Sequence, residues 1–266
     1  MKTLCLFVDS DRADQYLNSV AHGILYENVR AVSFWHIQRP DNEGVPSGYS
    51  ARVMYRVQDL LTALSERAQY IDTRDRRVSL EKLYGPEQAT KISEFYKRCT
   101  SVSVSYSNHD IDRKDLRRKL RSIARNGQPY ICDVTGLRKI FLGDLAAIAL
   151  VENLQGLFVF DLIKSPDFEQ PVEMLIHNLD RPLDRQYKYV DILDTETYRS
   201  CSQSVALRSP TIRAAIAMAL AFLAAGLGVA LWLGFESEFA KYLNVFSQVA
   251  GVVALALAIW PPRPRN

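Results

Sequence analysis

Short apolar runs alternate with longer amphipathic stretches along the first 163 residues of the chain. Short runs rich in Val, Ile and aromatic residues predict strands, and apolar residues at helical spacing between them predict helices. The predicted strands are Thr3–Val8, Val29–Ile37, Thr100–Ser107, Tyr130–Val134 and Leu157–Ile163. Because strands that alternate with helices favour a parallel sheet, we predict an α/β fold with a mostly parallel five-stranded sheet covered on both faces.

The segment after the fifth predicted strand is less regular. Val172–Leu179 and Tyr187–Leu193 suggest two more strands, followed by a linker. We therefore predict an α/β domain over residues 1–163, a small β addition with its linker over 164–210, and an apolar region over 211–266.

The apolar region contains two candidate membrane helices. Ala214–Phe235 has 22 residues without a charge, and Leu243–Trp260 has 18 residues with three polar ones. A helix of 22 residues spans about 33 Å, enough for a hydrocarbon core of about 30 Å. The short link between the two runs predicts a transmembrane hairpin in a lipid bilayer; the alternative is a buried core hairpin. Small residues and a polar face on the second run suit either a packed hairpin or a polar face lining an oligomer.

The charges that flank the two apolar runs predict their orientation. Arg208 and Arg213 precede the first run, and Arg263 and Arg265 follow the second. The link between the runs contains two Glu and one Lys. Because positive flanks stay inside the cell, we predict a multi-pass protein with the first 210 residues and the C-terminus in the cytoplasm.

Composition excludes several classes of protein. Lys and Arg number 33 against 30 Asp and Glu, so no dedicated DNA-binding surface is expected. The four Cys form no CxxC pair, and we predict that Cys5, Cys99 and Cys132 are reduced packing residues on strands. The His spacing predicts no metal site. Nucleophile-elbow, Walker and HExxH patterns are all missing, so no catalytic residue is assigned.

Two turns that follow predicted strands are candidate binding sites, because ligands of open α/β sheets lie outside the carboxyl ends of strands. The first turn contains Ser10 and Asp11. The second contains Thr135, Gly136, Arg138 and Lys139. Gly136 would let a ligand approach the backbone, Thr135 would supply a hydroxyl, and the two cations suit phosphate. The alternative for the second turn is a helix cap made by Asp133 and Thr135.

The second turn resembles a ligand-binding motif of CARF (CRISPR-associated Rossmann fold) domains, a strand ending in D-x-T-G-G-x-K before a helix. Asp133, Thr135, Gly136 and Lys139 match it, and Leu137 replaces the second glycine. Ser10 and Asp11 occupy the family's other binding position, after the first strand.

The resemblance implies a Rossmann-like fold and a homodimer or higher oligomer that binds a cyclic oligonucleotide second messenger. No other cofactor is implied. Some members of this group carry membrane helices as their effector, so the resemblance implies an antiviral sensor in the inner membrane of a bacterial or archaeal cell. Ligand binding would cause the hairpins to assemble and permeabilise that membrane.

Two other functions remain open on the sequence. One is a membrane-anchored nucleotide-processing enzyme, although neither Glu94 nor Glu152 has an obvious partner. The other is an anchored scaffold that uses the basic helix 113–125, which also reads as a solvated helix face or a contact for anionic headgroups. His36 and His109 could line the ligand cleft; the alternative for each is an ordinary core or surface histidine.

Overall fold

A computed structural model describes residues 2–38, 48–152, 154, 156–163, 169–179, 187–196, 198, 200, 224, 228, 231, 232, 242 and 245. The chain divides into two compact units, Met1–Thr195 and Glu196–Asn266.

The first unit contains an α/β sheet with helices between its strands. Its strands are β1 (Lys2–Val8), β2 (Val29–Gln38), β3 (Gln69–Ile71), β4 (Arg77–Ser79), β5 (Ser105–Asp112), β6 (Tyr130–Gly136), β7 (Leu157–Leu162) and β8 (Tyr187–Asp191). Its helices are α1 (Ala13–Tyr26), α2 (Tyr49–Glu66), α3 (Leu80–Tyr84), α4 (Pro86–Thr100), α5 (Leu116–Arg125), α6 (Lys139–Glu152) and α7 (Ile176–Leu179).

The main sheet has six strands in the order β5-β2-β1-β6-β7-β8. All neighbours are parallel except β7 and β8, which pair antiparallel. The predicted α/β class with a mostly parallel, Rossmann-like sheet is therefore confirmed, with six strands rather than five. The sixth strand comes from the segment predicted as a separate β addition.

Helices cover both faces of the sheet. This agrees with the nearly continuous apolar sequence of β1, which is typical of a strand buried on both faces. Leu4, Leu6 and Val8 join one apolar cluster with residues of α1, α2 and α4. Helix α5 contacts α6, and the right-handed crossover rule places this pair on the opposite face. Cys5 and Cys132 are buried neighbours on β1 and β6, which agrees with their predicted packing role.

The predicted strand over Thr100–Ser107 was wrong in its bounds. Helix α4 continues to Thr100, so Cys99 lies on a helix, and β5 begins only at Ser105. Cys99 is buried on the same face of α4 as Ile92 and Tyr96. The burial of this apolar face stabilises the helix up to its end, although the residues that follow alternate as in a strand. Asp110 and Asp112, which follow the predicted strand, therefore lie within β5.

The prediction of a strand over Val172–Leu179 was also wrong. A 3₁₀ turn, Pro171–Met174, leads into α7. The Asn18 amide of α1 donates to the Met174 carbonyl at 2.8 Å, and its oxygen accepts from the Ile176 amide at 2.7 Å. These two hydrogen bonds to Asn18 take the place of the backbone hydrogen bonds that a strand would form with a neighbouring strand. The β3–β4 hairpin was not predicted, because each strand has only three residues.

The predicted transmembrane hairpin lies outside the described residues except at six positions. Those positions, 224, 228, 231, 232, 242 and 245, are helical and exposed, and Trp232 is 84% exposed. Within the described part of the chain, no helix combines the length and apolar character needed to cross a bilayer.

Candidate functional site

The two predicted turns meet at one edge of the main sheet. Strands β1 and β6 are parallel neighbours, and Val8 pairs with Gly136 where both strands end. Because β2 lies on one side of β1 and β6 on the other, the strand order reverses between β1 and β6. A reversal of this kind opens a crevice outside the carboxyl ends of the strands, where α/β proteins bind ligands. The structure thus brings both candidate turns to one switch point.

Tyr16 of α1 joins the two turns. Its hydroxyl oxygen accepts hydrogen bonds from the backbone amides of Asp9, at 3.0 Å, and Ser10, at 2.9 Å. Its ring packs against Gly136 so closely that a Cβ at that position would overlap the ring. Burial raises the pKa of Tyr16, so its hydroxyl stays protonated. Gly136 is therefore required by packing inside the protein, and the first turn is fixed by the same side chain.

The side chains of Asp133 and Thr135 form hydrogen bonds with other residues of the protein. Asp133 is fully buried; its carboxyl accepts from the Thr135 amide at 2.9 Å and from the Tyr189 hydroxyl at 2.8 Å. Burial raises the pKa of Asp133, while these hydrogen bonds oppose the rise. The Thr135 hydroxyl oxygen accepts from the Phe160 amide at 2.8 Å, beyond the last paired residues of β6 and β7. Both side chains hold the second turn against its neighbouring strands.

The two predicted cations are exposed at the start of α6. The Arg138 guanidinium, although 58% exposed, pairs with the Asp9 carboxylate at 2.9 Å and so bridges the two turns. Lys139, the first residue of α6, forms no ion pair with any residue that the structure describes. An exposed ammonium group beside the amides of a helix start favours an anion.

Helix α2 contributes charges that the sequence pattern did not predict. The Arg52 guanidinium pairs with the Asp11 carboxylate at 3.0 Å, and Arg56 donates to the Asp11 carbonyl at 3.2 Å. Burial and the nearby carboxylates of Asp11 and Asp9 raise the pKa of Tyr49 to about 12. The only signal in the sequence was the four-residue spacing of the two arginines on one helix face.

The two histidines proposed for the cleft have different environments. His36, at the carboxyl end of β2, is buried; its Nδ1 lies 3.6 Å from the Asp110 carboxylate and its ring packs 4.4 Å from Tyr49. Asp110 accepts from the Gly48 and Ser50 amides at the start of α2. Burial alone would raise the pKa of Asp110, but these hydrogen bonds lower it. His109 is exposed on edge strand β5, against the Trp35 ring.

The basic helix α5 is held to α6 by ion pairs. Just before α5, Arg113 pairs with Asp144 at 2.7 Å, and Arg117 and Arg121 both contact Glu152 at 2.6 Å. Hydrogen bonds from Arg121 and Arg117 lower the pKa of Glu152 to about 2. The charges of this helix therefore serve first to join two helices, and Glu152, unassigned from the sequence, is their acidic partner.

Helix α6 is apolar on its outer face as well as its inner one. Phe141, Leu145 and Ala149 are buried, whereas Ile140 and Val151 are 62% and 57% exposed. A helix that is apolar all round is usually covered on both sides. The exposed face begins next to Lys139 and so adjoins the switch-point crevice.

Among the described residues, no three His, Cys, Asp or Glu side chains are grouped so that they could hold a metal ion. No family model matches the chain, and no characterised protein matches it by sequence.

One solved structure that resembles the chain is Enterococcus italicus Csm6 bound to cyclic hexa-2'-fluoro-hexa-dAMP, with 12% sequence identity and a TM-score of 0.42. The match covers 99% of this chain and 59% of that protein, so the chain spans about three fifths of its length. A likeness at this level carries no argument about what this chain does.

Proposed function

We propose that the first unit senses a cyclic oligonucleotide at the switch point between β1 and β6. The observation that supports this most strongly is the junction of the two turns: Tyr16 and the Arg138–Asp9 pair fix them together, and Lys139 remains exposed beside them. A preorganised crevice with an exposed cation at a helix start suits phosphate groups.

Each predicted residue has a role in this proposal. Lys139 and the amides that begin α6 would contact a phosphate, with Gly136 and Thr135 supplying the backbone of the turn. Arg138 would divide its charge between the ligand and Asp9. Ser10 and Asp11 would form the opposite wall of the crevice. Because Asp11 is neutralised by Arg52, this wall does not repel an anion.

We further propose that two copies of the chain pair through the exposed apolar face of α6, which Ile140 and Val151 mark. A two-fold axis near this face would bring two copies of Lys139 towards one ligand. A cyclic oligonucleotide has repeated phosphates and can match such a symmetric site, because a two-fold interface presents the same groups twice.

The output would be the C-terminal hairpin in the inner membrane of a bacterial or archaeal cell, serving antiviral defence. Support for this part is the pair of apolar runs and their positive flanks. The ligand need only bind one assembly state a few kcal/mol more tightly than another to shift the population strongly.

The experiment that tests this function measures dye release from vesicles that contain the full-length chain. Cyclic oligonucleotide added on the cytoplasmic side should release dye, and Lys139→Ala should abolish release while inserting normally. Lys82→Ala, another exposed lysine, should behave as the unmodified chain does. No release from the unmodified chain, or full release from Lys139→Ala, would refute the proposal.

The enzyme alternative differs in its dependence on the hairpin. If the chain is an anchored nucleotide-processing enzyme, replacing the hairpin by an unrelated membrane anchor leaves its activity intact. If the hairpin is the effector, the same replacement abolishes dye release. The observation that favours the enzyme alternative is the buried contact between His36 and Asp110 at the same end of the sheet.

The scaffold alternative needs variants that spare the α5–α6 contact. Neutralising Arg117 or Arg121 would break the ion pairs with Glu152 and would confuse a loss of binding with a loss of structure. Lys119 and Arg125 are exposed on the same helix, and neither forms an ion pair with a residue that the structure describes. Recruitment of a protein or RNA partner that disappears when these two are neutralised would favour the scaffold.

A further inference from the structure

Three flat side chains form a row beside the switch-point crevice. The row begins in the interior with the ring of His36, at the carboxyl end of β2, which is 3% exposed. The ring of Tyr49, the first residue of α2, has its centre 4.4 Å from that of His36, and the two planes are tilted by 35°. The guanidinium of Arg52 lies over the Tyr49 ring, with its carbon 5.0 Å from the ring centre. The row therefore ends in a planar cation.

Asp110 of β5 fixes the inner part of this row. Its carboxylate accepts hydrogen bonds from the amides of Gly48, at 2.7 Å, and Ser50, at 3.1 Å, which flank Tyr49. The same carboxylate lies 3.6 Å from the His36 Nδ1 atom. One side chain thus holds both the start of α2 and His36, so the two rings are positioned before any ligand binds. Groups that are already ordered lose little conformational entropy on binding.

The outer end of the row contacts the first turn of the crevice. The Arg52 guanidinium pairs with the Asp11 carboxylate at 3.0 Å, and the Tyr49 hydroxyl donates a hydrogen bond to the same carboxylate. Two residues earlier in that turn, Asp9 pairs with Arg138 at 2.9 Å. Since β2 and β6 lie on opposite sides of β1, the first turn separates the row from the cations at the start of α6. A molecule that crosses this turn can contact both.

The exposure of the row indicates what kind of group it can bind. The Arg52 side chain is 46% exposed, so a flat molecule can reach the row at its guanidinium. Nucleic-acid-binding proteins stack bases on aromatic rings and on arginine planes, because both offer a flat, polarisable surface. In a nucleotide the base is attached through the ribose to a phosphate, and the cations across the first turn suit that phosphate. The arrangement therefore suits a nucleotide.

We propose that a base of the bound oligonucleotide stacks on the Arg52 guanidinium, while its phosphate contacts Lys139. This inference rests on the proposed function and adds a base-binding residue to it. Arg52 then has two roles, because it neutralises Asp11 and also presents a flat cation to the base. A lysine at this position can perform the first role but not the second, since its ammonium group is a point charge without a plane.

The test is calorimetric titration of the full-length chain in detergent with cyclic oligoadenylates and with analogues in which each base is replaced by hydrogen. Removal of the bases should weaken binding to the unmodified chain at least about fivefold. Arg52→Lys should weaken binding of the intact compounds by a similar factor, and removal of the bases should then have a much smaller effect. Such coupling identifies a contact between the base and residue 52, because independent changes would add.

Two variants serve as references. Arg67→Lys, at the other end of α2, is the matched control, because Arg67 is exposed and forms no ion pair with any residue that the structure describes. It should bind both sets of compounds as the unmodified chain does. Lys139→Ala should weaken the intact compounds and the analogues without bases by the same factor, because it removes a contact to phosphate.

The outcomes separate base stacking from the proposed function. Base stacking is overturned if the analogues without bases bind as tightly as the intact compounds, or if Arg52→Lys leaves the effect of base removal unchanged. In either case, weaker binding by Lys139→Ala would still support a phosphate site at the switch point. Absence of binding by every compound would overturn the proposed function, and base stacking with it.

Discussion

Gly136→Ala tests whether Tyr16 joins the two turns as the structure shows. An added methyl group would overlap the Tyr16 ring, which is fully buried and cannot move outward without opening the core. If the ring shifts, its hydroxyl loses the amides of Asp9 and Ser10. The substitution should therefore disturb both turns of the crevice, although it changes only one of them.

The size of the effect follows from these contacts. Overpacking a core costs about 1–3 kcal/mol, and each lost hydrogen bond costs about 0.5–1.5 kcal/mol. With two hydrogen bonds lost, the sum is about 2–6 kcal/mol of unfolding free energy. A central value of about 4 kcal/mol would lower the Tm of a unit of this size by roughly 8–16 °C.

The assay is thermal unfolding of the full-length chain followed by circular dichroism, with Gly143→Ala as the matched control. A Cβ at Gly143 meets no atom within 4 Å, and the residue is exposed on α6. Because Ala is favoured over Gly in a helix by about 1 kcal/mol, the control should hold or raise the Tm. A Gly136→Ala variant as stable as the unmodified chain would show that Tyr16 is not seated against this turn.

Three further predictions concern Tyr16, Glu152 and Ile140. Tyr16→Phe should lower the Tm by several degrees, because two turn amides lose their acceptor, and it should speed hydrogen exchange at Asp9 and Ser10. The folded-state pKa of Glu152, about 2, lies below its ordinary value of 4.5, so its stabilisation is present above about pH 4.5 and is lost as the pH falls towards 2. The fall in Tm between pH 5 and pH 3 should therefore be smaller in Glu152→Gln. Ile140→Ser should shift the chain to a lower oligomeric state in sedimentation if α6 forms the dimer face, and unchanged sedimentation would exclude that face.

Although β5 is polar and mostly exposed, much of the fold was predictable because most of the parallel strands are buried and have apolar sequences. β1 and β7 show this most clearly, and the turns after β1 and β6 were predicted at the positions where the structure brings them together. The boundary between α4 and β5 was not predictable. The residues that follow α4 alternate like a strand, whereas Cys99 is buried within α4, a helix that packs against α2.

The candidate site was predictable in its place but not in the roles of its residues. The motif identified Gly136, yet the reason for glycine is the ring of Tyr16, a contact between residues 120 positions apart. The contribution of Arg52 depends on how α2 packs beside the first turn. Long-range contacts of this kind leave no local pattern in the sequence.

The measurement that tests the central claim most directly is the affinity of the full-length chain for a panel of cyclic oligonucleotides, compared with Lys139→Ala and Lys139→Arg. We expect submicromolar binding of at least one member of the panel. Loss of the ammonium group in Lys139→Ala should weaken that binding roughly 10- to 100-fold, because a charge-assisted contact to phosphate is removed, and Lys139→Arg should retain most of it. Failure of every panel member to bind, or equal binding by Lys139→Ala, would contradict a nucleotide site at the switch point.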